Sequence, residues 1–201
     1  MNCPGCTFSR YPPCAIFNII SASSLKDIIL GNKLKSTPFP VCHKNAQKIN
    51  NNKIAQTEGC DHCFLCSYLC VNSTNKTAPS VILEKLLFSE LSRLNMYLQT
   101  AIPSAVVGSE IKAKGNAREK RIDVVIKKNR TIYLIKVLSD LNKLPFYSRS
   151  YNDLLEFYNQ AFQDFTFYTR ILIPAKHANA VGTSFLDCCT IEALIEEIQE
   201  A

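Results

Sequence analysis

Val81 opens an apolar stripe that Leu83, Leu87, Leu91 and Leu94 continue in steps of four, four and three, the spacing of one helical face. Ser80 stands where a helix cap is wanted and Pro103 follows, so a helix is predicted from there to about Leu98. The pattern then changes. Ala105–Lys112, Ile122–Lys127 and Thr131–Leu138 are rich in β-branched residues and read as three strands. Lys128-Asn129-Arg130 separates the last two as a hairpin turn, with Asn129 able to take a positive φ. A second amphipathic helix is predicted over Asn152–Phe165, a buried strand over Thr169–Ile173 ended by Pro174, a short strand over Gly182–Leu186, and a final acidic helix over Thr190–Gln199.

Residues 1–78 have a different texture. Pro4, Pro12, Pro13, Pro38, Pro40 and the run Asn50-Asn51-Asn52-Lys53 interrupt them, and no long periodicity survives. Such a segment has difficulty burying a core and is expected to need cross-linking by metal. One short helix is predicted there, Ser24–Leu30, stopped by Gly31. The expected division is therefore a Cys-rich metal-binding region, 1–78, and a folded domain, 79–201.

With 201 residues, 47% of them hydrophobic, and a mean hydropathy of −0.01, the chain reads as a soluble globular protein. No apolar run approaches the roughly 18 residues of a membrane helix. Ala15–Ile20 is short, contains Asn18 and lacks a basic flank, so neither a signal peptide nor a membrane partner is expected, and a cytoplasmic location follows.

Charge adds a candidate surface. Residues 112–136 carry nine bases against Glu119 and Asp123, a local excess of +7, whereas residues 183–201 carry five acids and no base. The basic stretch includes Lys112, Lys114, Arg118, Lys120, Arg121, Lys127, Lys128 and Arg130. A phosphate backbone would select such an excess, and so would a solvated hairpin protecting a sheet edge.

Cysteine supplies the second chemistry. Eight of the ten lie in the first 70 residues: Cys3, Cys6, Cys14, Cys42, Cys60, Cys63, Cys66 and Cys70. In a reducing compartment that clustering favours metal over disulfides. Cys60-x2-Cys63-x2-Cys66-x3-Cys70 has the spacing of ferredoxin-type runs, in which thiolates two residues apart curl round one corner of a four-iron cluster. Val71 follows where such runs usually carry Pro. Eight thiols would fill two 4Fe-4S clusters, with Cys3, Cys6, Cys14 and Cys42 as the more distant ligands. A zinc site closed by Cys3-x2-Cys6 and Cys60-x2-Cys63 is the alternative, and disulfides are the bland one. The Cys-x3-Cys-x2-Cys spacing of radical S-adenosylmethionine chemistry is not met, because Ser73 stands in the last place. Cys188 and Cys189 are expected to be buried, inert thiols.

The segment from Arg121 through Asp123 to Lys136 and Leu138 resembles the core hairpin of the PD-(D/E)xK nuclease superfamily, the restriction-endonuclease-like fold. The resemblance covers residues 80–174 in element order and implies an α-β-β-β-α-β core. In that family an Asp on one strand and an acid on the next hold Mg²⁺, and a lysine two residues on handles the attacking water. The spacing is geometric, since residues two apart on a strand share a face. Here Asp123 keeps its place, Lys136 stands where the acid belongs, and Leu138 stands where the lysine belongs.

The resemblance thus implies a degenerate active site whose surviving surface binds DNA or another nucleic acid without cutting it, in an accessory subunit of a DNA-processing or defence complex. RecB-like relatives, which staple chain segments with an iron–sulfur cluster, resemble this chain in having both parts. Two further readings remain. One is an active Mg²⁺-dependent nuclease pairing Asp123 with Glu110 (as Glu110-x-Lys112) or with a helical acid, Glu84 or Glu90. The other is an iron–sulfur redox protein. Tyr158, Gln160, Gln163 and Tyr168 are similar to DNA-side residues of RecB-like nucleases, whereas Phe157, Phe162, Phe165 and Phe167 are expected in the core.

Overall fold

A computed structural model describes residues 15–21, 23–32, 34–41, 81–115, 119–144, 151–181 and 187–201. Its centre is a seven-stranded mixed sheet in the order β2-β1-β3-β4-β5-β6-β7. The strands are β1 (Ala15–Ser21), β2 (Ser36–Val41), β3 (Val106–Lys114), β4 (Glu119–Lys128), β5 (Thr131–Val137), β6 (Thr166–Leu172) and β7 (Cys188–Cys189). The helices are α1 (Leu25–Leu30), α2 (Val81–Ser89), α3 (Leu91–Ala101), α4 (Asn152–Ala161), α5 (Ala178–Val181) and α6 (Ile191–Glu200), with 3₁₀ turns at Leu141–Lys143 and Ala175–His177.

The expected α-β-β-β-α-β order is present from α3 to β6. β3, β4 and β5 form an antiparallel meander, and α4 carries the chain across to β6, which lies parallel to β5. The β4–β5 turn works as its residues suggest, with Asn129 at φ 55°. Thr190 caps α6 by accepting from the Ala193 amide. The long first helix is two helices, because Glu90 is extended (φ −149°, ψ 119°) and starts α3 afresh.

The N-terminal segment corrects the expectation of a coreless leader. β1 pairs antiparallel with β2 and parallel with β3, through Ile20 opposite Gly108 and Ser21 opposite Ser109. Between β1 and β2, α1 begins at Ser24, whose side chain accepts from the Asp27 amide, and ends at Gly31 in the left-handed region (φ 69°). That is the capped, Gly-stopped helix its sequence specifies. The predicted strand Gly182–Leu186 lies outside the described residues, and β7 forms just beyond it.

Helices cover both faces of the sheet. On one, Leu87, Leu94 and Leu98 of α2 and α3 and Leu194 and Ile198 of α6 meet Val107, Val124, Ile126, Tyr133 and Ile135. On the other, Leu25, Ile28 and Ile29 of α1 and Leu154 and Tyr158 of α4 meet Ile111, Ala113, Ile122, Val125, Ile132 and Leu134. Strict alternation would keep Val107, Ser109 and Ile111 on one side. Instead Ser109 bonds Asn95 of α3 while Ile111 packs with α1 and α4. The switch falls at Glu110, whose φ is 57°. The facing strand switches at the same level, between Ile122 and Val124, and Asp123 sits at that break.

Candidate functional site: the Asp123–Lys136 pair

The β4–β5 hairpin brings the motif together. Its register runs Lys128 opposite Thr131 to Val124 opposite Ile135, and one more step places Asp123 beside Lys136. Their side chains are 17% and 18% exposed, and they form a cross-strand ion pair. Lys136 Nζ lies 2.9 Å from Asp123 Oδ2 and 3.1 Å from Oδ1. The Val137 amide donates to Oδ2 at 2.9 Å. Both carboxylate oxygens are therefore engaged by donors.

Leu138 is 4% exposed and packs with Leu144, Ile171 and Ile173, and its amide continues the ladder to the Leu172 carbonyl at 2.9 Å. A side chain so placed cannot handle water. A small cleft beside the pair is lined by Lys136, Tyr151, Asn152, Thr169, Arg170, Ile171 and Asp187. Its other cation is held too: Arg170 Nε donates to Glu197 Oε2 at 2.8 Å, and Asp187 lies 3.9 Å from Nη1. The bond to Glu197 raises the Arg170 pKa further above its ordinary value.

These residues do not fit a divalent cation. Mg²⁺ needs anionic oxygens facing it, and here an ammonium group occupies the lone pairs of Asp123. Among the described residues no group of three or more His, Cys, Asp or Glu gathers that could hold a metal. The alternative acids are also engaged. Glu110 is ion-paired with Arg121 across β3 and β4. Glu84, 7% exposed, accepts from the Ala175 amide at 2.7 Å and so tethers α2 to the 3₁₀ turn after β6. Glu90 pairs with Arg93 at 2.9 Å.

The basic stretch divides into two groups that its sequence does not separate. Lys127 Nζ donates to the Ile28 and Ile29 carbonyls at 3.2 and 2.6 Å, at the end of α1, and stands 5.4 Å above the Phe165 ring. Lys128 Nζ donates to the Ile198 and Gln199 carbonyls of α6 at 2.7 and 2.9 Å. Both neutralise the negative end of a helix, a structural duty. Lys120 is bonded to Asp153 of α4 and holds that carboxyl below its usual range. Lys112 lies 3.8 Å from Glu119, and Lys114 and Arg130 are exposed. Arg118 lies outside the described residues.

Of the four residues likened to a DNA-side cluster, Tyr158 is mostly buried against α1 and the sheet. Gln160, Gln163 and Tyr168 are exposed, and Tyr168 stacks on Tyr133 with ring centroids 5.5 Å apart. Phe167 is buried as expected, whereas Phe157, Phe162 and Phe165 are half-buried. All eight N-terminal cysteines lie outside the described residues. Cys188 and Cys189 are half-buried free thiols, and burial pushes the Cys189 pKa up to about 12.

No family model and no curated protein matches the chain. Among solved structures, the small subunit of the heterodimeric restriction endonuclease R.BspD6I is similar at a TM-score of 0.34 and 11% identity, over 59% of this chain and 75% of that one. At that distance the likeness is one of coarse architecture alone. No described helix is long and apolar enough to cross a membrane.

Proposed function

We propose that this is a nuclease-fold protein that binds nucleic acid without cutting it, an accessory subunit in DNA processing or defence. The observation that carries the reading is the Asp123–Lys136 pair. By the resemblance it stands on the two strands where those enzymes hold their cation, and what supports the reading is a lysine bonded to Asp123 where a second acid would be needed. Burial of Leu138 removes the remaining catalytic position. The eight N-terminal cysteines are proposed to hold one or two 4Fe-4S clusters, or zinc, as a staple.

The test uses the full chain, purified without oxygen, and a labelled DNA duplex. Binding is expected to weaken steeply with salt, because several phosphate contacts release counterions. No cleavage is expected with Mg²⁺ or Mn²⁺. Cleavage that Asp123→Ala abolishes would overturn the reading, and so would the absence of any nucleic-acid binding. Iron, sulfide and zinc analysis of the same sample decides the nature of the staple.

A further inference from the structure

A groove of about 810 Å³ opens on the sheet face covered by α1 and α4, separate from the cleft beside Lys136. Phe157 and Tyr158 of α4 and Phe162 just after its end line the groove. Phe162 stacks on Tyr158 (centroids 5.8 Å apart, planes 11° apart) and Phe157 meets Tyr158 edge-on at 5.2 Å. Lys26 and Lys35 line the opposite side and Lys112 and Lys114 the rim at the end of β3, against two acids, Asp27 and Glu119.

Both acids are engaged. Asp27 accepts from Ser24 Oγ at 2.5 Å and Asn32 Nδ2 at 3.1 Å, which lowers its pKa, and Glu119 faces Lys112. Among the described residues no carboxylate lies within ion-pair distance of Lys26, Lys35 or Lys114, although the charge of Lys26 also acts on Asp27. The four lysines come from two distant stretches of sequence. They meet because the Lys112 amide donates to the Ser23 carbonyl at 3.0 Å, locking the start of α1 to the end of β3.

We infer that this groove is a binding site for single-stranded nucleic acid. The inference rests on the nucleic-acid reading above and adds where the strand lies and which form is bound. Half-exposed aromatic rings beside mobile point charges suit a polyanion whose bases are unstacked, because any base can lie on a phenyl face while lysines follow the backbone. A duplex has its bases already stacked inside it and leaves those rings unused. Lysine, unlike arginine, offers no planar fork for base edges, so the site tolerates any sequence. The volume lies in the upper part of the roughly 300–1,000 Å³ span of small-molecule pockets, too large for one phosphate.

The experiment measures fluorescence anisotropy of a labelled oligothymidylate and of a duplex of equal length with the full chain. Wild type is compared with the double variant Lys35→Ala, Lys114→Ala and with Arg130→Ala, which changes an exposed turn residue outside the groove. Single strand is expected to bind at least tenfold tighter than duplex. The double variant should lose about tenfold and lower the salt slope by about 1.4, at roughly 0.7 per phosphate contact. Arg130→Ala should change little. Both substituted lysines are solvent-exposed, and an unchanged circular dichroism melt checks that the variant is folded. As an independent readout, photo-crosslinking of an iodouracil oligonucleotide should map to Phe157 or Phe162. Equal binding by the double variant, or tighter duplex binding, would overturn the groove while leaving the nucleic-acid reading standing. Failure to bind either form would overturn both.

Discussion

The two faces of the central sheet differ in what their helices leave uncovered. Under α2, α3 and α6 the sheet meets an apolar layer that includes Leu87, Leu94, Leu98, Leu194 and Ile198, each 0% exposed, with the buried Asn95–Ser109 bond inside it and Lys128 at its edge on the end of α6. Under α1 and α4 the layer is interrupted. Lys127 reaches across to the end of α1, Lys136 to Asp123, and the wide groove opens between the helices. On the first face the polar side chains bond one another or a helix end, whereas on the second some lysines are left facing an open groove. Charge in the sequence therefore says little about function until each base is assigned its partner, because a lysine holding a helix end and a lysine facing solvent are written alike.

Substitutions should expose that difference. The largest loss is expected on the closed face. Leu94→Ala should lower unfolding free energy by about 2–5 kcal/mol in a denaturant titration, since it leaves a cavity with no route to water. A loss below 1 kcal/mol would mean that this face is not the main core. Next comes the ion pair. Lys136→Ala leaves the mostly buried Asp123 with the Val137 amide alone and should cost about 1–3 kcal/mol. Lys127→Ala removes two bonds to the α1 carbonyls and should cost about 1–2 kcal/mol, with faster amide exchange confined to α1.

The smallest effect concerns Asp153. Because Lys120 depresses its folded pKa, the stability it contributes is present above the unfolded value of about 3.9 and is lost as pH falls through the folded one. Lys120→Ala should move the Asp153 carboxyl titration upward, measured by carbon NMR, and should leave the Asp27 titration in place.

Much of the fold was legible because its elements are local. The meander, the Asn129 turn, the Ser24–Gly31 helix and the Thr190 cap are each specified within a few residues. The break at Glu90 was not, since the apolar stripe continues across it and only packing separates the two helices. Nor was the role of β1 and β2, since the pairing of β1 with β3 spans some ninety residues and leaves no periodic trace. At the site, Asp123 and Lys136 could be paired from strand register alone. The groove could not, because nothing in spacing connects Lys26 and Lys35 with Lys112 and Lys114. The positive φ of Glu110 was equally hidden, since glutamate carries no signal for a left-handed backbone.

The exclusion of a divalent cation from Asp123 can be read at one atom. The Val137 amide donates to Asp123 Oδ2, so its proton-nitrogen NMR signal would be bleached by any paramagnetic ion bound to that carboxylate. Titration of the full chain with Mn²⁺ should leave this signal intact into the millimolar range. In Lys136→Glu, which sets a second acid beside Asp123, it should vanish at far lower concentration. Bleaching of the wild-type signal at micromolar Mn²⁺ would contradict the account.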